Sequence, residues 1–96
     1  MHPNIHPGEI LAEEFLKPAG VGADELAGDL KIPRERVAAI LAGQRAVCVD
    51  TALRLSRYFG TSDRFWLEAQ MSYDLERARR HYSHIQREVH PLGSAA

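Results

Sequence analysis

Arg34, Glu35 and Arg36 follow Pro33 directly and lead into Val37-Ala38-Ala39-Ile40-Leu41-Ala42. A guanidinium can donate two hydrogen bonds to guanine, a carboxylate can accept one from cytosine, and a small side chain can touch a thymine methyl. The chemistry open to this cluster is recognition of base edges, provided that Val37, Ile40 and Leu41 turn inward and anchor the helix. The other reactive residue types form no catalytic pattern. Glu13 and Glu14 are neighbours and would leave a helix in different directions. His81 and His84 are spaced for one helical face, while His2, His6 and His90 stand apart; two ligands do not make a structural zinc site. No nucleophile motif, phosphate-binding loop or cofactor fingerprint is present. The sequence therefore predicts no enzyme, no metal site and no cofactor.

Such a reader needs elements to hold it, and 96 residues suffice for one core but not two. Hydrophobic residues at 45% and charged residues at 26% are ordinary for a folded domain and argue against disorder. The single cysteine, Cys48, cannot make an internal disulfide, which fits a reducing cytosol. The opening Met1-His2-Pro3-Asn4-Ile5-His6-Pro7 has neither a basic start nor an apolar run, so no signal peptide is predicted. No stretch approaches the roughly 18 apolar residues of a membrane span. The expectation is a cytoplasmic protein without a membrane partner. The net charge is −1, but it is unevenly spread: residues 1–30 balance at −5, residues 31–64 at +4 and residues 65–96 at zero. A polyanion meets the local potential and not the total, so the basic middle is the part suited to nucleic acid.

The apolar spacing and the helix breakers predict an all-α domain of five helices over about 1–82. Pro7 opens the first helix, whose inward face is Ile10, Leu11 and Phe15, and Pro18, Gly20 and Gly22 stop it. The second helix runs over about 23–30 and buries Leu26, Ala27 and Leu30. Lys31-Ile32 makes a tight bend. Pro33 holds the first position of a recognition helix over about 34–42, capped by Gly43. Val47 and Val49 plug the core from a loop. Asp50 caps a fourth helix over 51–59, with Leu53, Leu55 and Phe59 apolar, and Thr61 or Ser62 caps a fifth over about 63–81. Residues 83–96 read as a tail, flexible or held by a partner.

On this frame the base-reading positions are Arg34, Glu35, Ala38 and Ala39. Arg36 and Arg45 are candidates for phosphate contact, with Gln44 and Lys31 beside them, because such groups position a protein on duplex DNA without reading it. The amides at the start of the second helix, at Ala23, offer another phosphate site, although Asp24 and Glu25 would repel a phosphate they faced. Arg54 and Arg57 read as solvated helix surface. Phe65, Trp66 and Tyr73 have two readings, as core or as an interface with a second copy or another protein partner.

The sequence also resembles a known family. The relevant residues are Ile5-His6-Pro7-Gly8-Glu9-Ile10-Leu11, Glu25-Leu26-Ala27, Ile32-Pro33-Arg34, Val37 to Arg45, Asp50 to Leu55, Phe59-Gly60-Thr61-Ser62 and Phe65-Trp66-Leu67. Together they resemble the lambda-repressor-like helix-turn-helix proteins and, within them, the HigA-like antitoxins, the plasmid maintenance or virulence-associated protein I group. The resemblance implies a five-helix domain, a homodimer joined by the fifth helix or the tail, a palindromic double-stranded operator and neutralisation of a small mRNA-cleaving toxin. It places groove-reading positions on Arg34, Glu35, Ala38 and Ala39, and backbone contacts on Ala23, Arg36, Gln44 and Arg45. Three departures from its usual pattern stand out: Ala23 stands for glutamine, Gly28-Asp29 for an alanine-rich or basic turn, and Lys31 for glycine, which implies a left-handed Lys31 at a cost of roughly 1 kcal/mol or more. Two alternatives stay open beside the antitoxin, a stand-alone transcriptional regulator and a toxin-binding protein with weak DNA affinity.

Overall fold

The Pro7 ring fixes the backbone where the first helical turn leaves an amide unbonded, and the His6 imidazole completes the cap by accepting the Gly8 N–H at 2.8 Å. From there, in a computed structural model that describes residues 4–93, the regular structure is entirely helical. His2 and the last three residues of the predicted tail lie outside the described range. Helix α1 covers 7–19 in three pieces, an α-helical turn Pro7–Ile10, a π-helical stretch Leu11–Leu16 and a last turn Lys17–Ala19. It is followed by α2 (Ala23–Leu30), α3 (Arg34–Leu41), α4 (Val49–Phe59), α5 (Phe65–Arg79) and α6 (Tyr82–Glu88). The expected five helices are therefore six. The sixth lies in the segment read as a tail, where a His84–Glu88 pair at 3.2 Å spans one turn.

Pro18 does not stop α1, contrary to expectation. The Lys17 amide bonds five residues back to the Ala12 carbonyl, and this widened register accommodates the proline, which has no N–H to offer and whose ring crowds the preceding turn. Gly20, at φ +68°, supplies the left-handed end. At its other end α1 crosses α3 so closely that a Cβ on Gly8 would stand 1.8 Å from the Ile40 carbonyl oxygen. Only glycine permits that crossing.

The core is built from Leu11, Leu26, Val37, Ile40, Leu55 and Trp66, one or more from every helix up to α5. Phe15 stacks at 4.9 Å from Trp66 and 5.0 Å from Phe59, joining α1, α4 and α5. Val47 enters this core as expected, its amide donating to the buried Gln70 side chain at 2.9 Å. Val49 and Leu53 do not: they are 60% and 51% exposed. Helix α4 begins two residues earlier than predicted, at Val49 with Cys48 as N-cap, so Asp50 is already inside the helix and pairs with Arg54 at 2.9 Å instead of capping, while Leu53 lies roughly 200° around the helix from the buried Leu55. Helix α5 begins at Phe65, two residues later than predicted, with Arg64 as N-cap, and the Ser62 hydroxyl accepts the Phe65 N–H at 3.2 Å from outside the helix.

Candidate nucleic-acid interface

Helix α2, the Lys31 turn and α3 form a helix-turn-helix whose geometry follows from local hydrogen bonding. Lys31 sits at φ 61°, ψ 41°, the one non-glycine residue with positive φ among the described residues. Its amide bonds to the Gly28 carbonyl and that of Ile32 to the Ala27 carbonyl, at 3.4 and 3.2 Å, the paired closure that ends a helix with a left-handed residue. Ile32 is buried against the core and pins the turn. Pro33, at ψ 141°, is the N-cap of α3 and not its first helical residue. The far end of α3 closes the same way, Gly43 at φ +74° and Gln44 bonding back to Ile40 and Ala39. Ala42, predicted as the last helical residue, is the C-cap.

This framing turns Val37 and Ile40 into the core and leaves Arg34, Glu35, Ala38 and Ala42 exposed, with Ala39 half-buried at the edge of the same face. The outer face of α3 carries no bulky apolar group, which is what entry into a major groove requires. Arg34 is not free: its Nη1 lies 3.4 Å from an Asp24 carboxylate oxygen on the first turn of α2. Arg36 is half-buried, its Nε enclosed without a hydrogen-bond partner, and it makes no ion pair among the described residues. Such a cation has no counter-charge among the described residues and is suited to accept one from outside. Gln44 and Arg45 are exposed on the loop beyond α3, and Lys31 is exposed on the turn. Ala23 is half-buried at the start of α2, whose N-cap Gly22 provides no side-chain bond, so the first amides of α2 are left open.

Several residues that the sequence left aside hold this surface in place. Arg54, read as solvated surface, donates from Nη1 to the Leu30 carbonyl and from Nε to Asp50, both at 2.9 Å. Tyr58 donates its hydroxyl to Asp29 at 2.6 Å, and that bond to the carboxylate pushes the phenol pKa up. Asp50, Arg54 and Tyr58 recur every four residues on one face of α4, a spacing visible in the sequence, and they grip the last turn of α2. His6 packs edge-on against Tyr73 at 4.8 Å and against Gly43, so the start of α1, the end of the recognition element and α5 meet at one imidazole. Burial lowers the His6 pKa, against an opposing pull from Asp74 and the Arg45 backbone. The thiol pKa of Cys48, the N-cap residue of α4, is also lowered, first by its hydrogen bond with the Thr51 hydroxyl and in small part by the nearby Arg36.

Of the three aromatic residues with two readings, Trp66 is 0% exposed and donates its indole N–H to Thr61, which makes it core. Its interface reading is thereby corrected. Tyr73 is half-buried on His6, and Phe65 is exposed. The apolar residues left outside are others: Met71 and Leu75 on α5, Tyr82 and Ile85 on α6, and Val89 just after it. Among the described residues, no three histidine, cysteine or acidic side chains gather as a metal site, and no helix is long and apolar enough to cross a membrane.

No family model matches the chain. Virulence-associated protein I of Dichelobacter nodosus is 51% identical to it over 76 residues, covering 79% of this chain and 70% of that protein. The solved structure of an addiction module antidote protein of a HigA family from Coxiella burnetii is 47% identical, with a TM-score of 0.86 over 95% of this chain and all of that one. The Pseudomonas aeruginosa antitoxin HigA, solved with the higBA promoter, is 40% identical, with a TM-score of 0.87 over 94% of this chain and 99% of that one. Identities of this size, carried by chains that superpose over most of their length, extend the resemblance of residues 5–80 to the fold as a whole: the chain belongs to the HigA-like antitoxins of the lambda-repressor-like helix-turn-helix superfamily.

Proposed function

We propose that this protein is the antitoxin of a bacterial toxin–antitoxin module, which binds operator DNA as a dimeric repressor and neutralises a cognate mRNA-cleaving toxin. The role is binding and not catalysis. The observation that carries the reading is the outer face of α3, small in the middle and cationic at its N-terminal end, with Arg34, Glu35, Ala38 and Ala39 on the groove side and, at the flank, Arg36, unpaired among the described residues. Arg34 supplies the strongest base contact, two donors to one guanine. Arg36, Gln44, Arg45, Lys31 and the open amides at Ala23 engage phosphates. The antitoxin HigA solved with the higBA promoter supports this use of the fold.

One recognition helix spans few base pairs, so a two-fold dimer on a palindrome, with half-sites about 34 Å apart, multiplies the contacts. Met71 and Leu75 on α5, with Tyr82, Ile85 and Val89 beyond, form the apolar surface suited to that partner copy. The test is binding to the promoter segment upstream of the gene across a salt series. Operator affinity falls steeply with salt, and Arg34→Ala with Arg36→Met removes sequence preference while helicity and dimer mass are retained. Affinity indifferent to both salt and these substitutions overturns the DNA-binding reading. Copurification with the product of an adjoining toxin-sized gene separates the antitoxin from a stand-alone regulator.

A further inference from the structure

Asp24 stands where a carboxylate is least expected on a DNA-binding surface, in the first turn of α2 beside the open amides that suit a phosphate. Its carboxylate lies instead 3.4 Å from Nη1 of Arg34, ten residues away at the start of α3. Both side chains are about 70% exposed, and an exposed pair of this kind adds little to fold stability. Its placement matters more than its strength, because it joins the two helices at the point where the recognition helix begins. A guanidinium carries five N–H donors in a rigid fork, so a carboxylate held at Nη1 leaves Nε and Nη2 available for the two acceptors on one guanine edge. A long side chain already held by one end loses less rotamer freedom when the other end binds.

We infer that Asp24 is a specificity-determining positioning residue, whose carboxylate orients the Arg34 guanidinium toward guanine and accepts some repulsion from DNA phosphate in return for sequence discrimination. The inference rests on the reading of Arg34 as a base contact. Two consequences separate it from a simple repulsive charge. Removing the carboxylate raises affinity for any duplex, since one phosphate-facing negative charge is lost, yet it lowers the preference for operator over other DNA. Lengthening it by one methylene keeps the charge and misplaces the oxygen.

The experiment measures binding of wild type, Asp24→Asn, Asp24→Glu, Arg34→Ala and the double variant Asp24→Asn/Arg34→Ala to an operator duplex and to a scrambled duplex of equal length. All are measured at one salt concentration, with circular dichroism confirming the fold. Asp24→Asn is expected to bind scrambled DNA more tightly and to lose about three- to fivefold in the operator-to-scrambled ratio. Asp24→Glu loses a similar ratio without gaining scrambled affinity. In the Arg34→Ala background Asp24→Asn leaves the ratio unchanged. An unchanged or higher ratio in Asp24→Asn, with both affinities raised, overturns the inference and makes Asp24 a repulsive charge only. A ratio unaffected by Arg34→Ala alone overturns the base-reading role itself, and the two failures are thus read on different variants.

Discussion

The clearest division of labour lies between Arg34 and Arg36. Arg34 is exposed and paired, so its loss removes the proposed base contact without disturbing the core; Arg36 is half-buried, with an enclosed Nε that has no hydrogen-bond partner among the described residues. A buried unpaired donor costs stability, while the outer nitrogens of the same guanidinium can still meet a phosphate. Arg36→Met keeps the packed stem and discards the unpaired group. It is expected to unfold at the same or a higher denaturant midpoint than wild type, yet to bind operator and scrambled DNA more weakly by the same factor, with the salt slope reduced by about one. A destabilised variant with unchanged DNA affinity would show that Arg36 serves the fold. Arg34→Ala has the opposite signature, a loss of about 1–3 kcal/mol confined to operator DNA, measured as the operator-to-scrambled difference.

At the scale of elements, two glycines differ in what surrounds them. Gly8 faces the Ile40 carbonyl where α1 crosses α3, so Gly8→Ala must push the helices apart. It is expected to cost about 3 kcal/mol or more and to lower the thermal midpoint by over 10 °C, checked by calorimetry. Gly28 lies inside α2 with nothing within 4 Å of an added Cβ. Gly28→Ala is expected to stabilise the protein by about 1 kcal/mol through helix propensity alone, seen as a raised denaturant midpoint with operator affinity unchanged. Both glycines were equally visible in the sequence, and Gly28 was recognisable as a weak point in a helix. The need for Gly8 was not, because it depends on an angle between two helices that are 32 residues apart in the chain. The same holds for α4: its Asp50-Arg54-Tyr58 spacing is legible, but that it grips Asp29 and the Leu30 carbonyl is set by where α2 ends in space.

Across the whole molecule, His6 links the N-terminus of α1 to Gly43 behind the recognition helix and to Tyr73 on α5. Burial lowers its pKa below 6.5, so the folded state prefers the neutral ring, with Asp74 opposing and Arg77 assisting that preference. The unfolded chain then binds more protons as the solution is acidified, and the His6 contribution is complete above pH 6.5 and is lost as pH falls through the folded value. His6→Asn retains an N-cap acceptor and does not titrate. Wild type is expected to lose more stability than His6→Asn between pH 7.5 and pH 5.5, measured by urea midpoints; equal losses would mean that the imidazole does not sense the change.

What the sequence by itself determined is everything carried by short spacing. Apolar periodicity and breakers marked α2 and α3, the family resemblance, with Lys31 where glycine is usual, implied the left-handed Lys31, and the outward set of Arg34, Glu35 and Ala38 followed from the inward set of Val37 and Ile40. Local charge segregation pointed to the basic middle of the chain. Only the tertiary structure decided which polar groups are engaged and which apolar ones stay outside: Arg34 on Asp24, Arg54 on Leu30, Trp66 in the core, and Leu53, Met71 and Ile85 in solvent. The physical reason is that spacing within a helix specifies which side chains share a face, whereas the partner of that face is specified by crossing angles and separations that arise only when distant helices pack together.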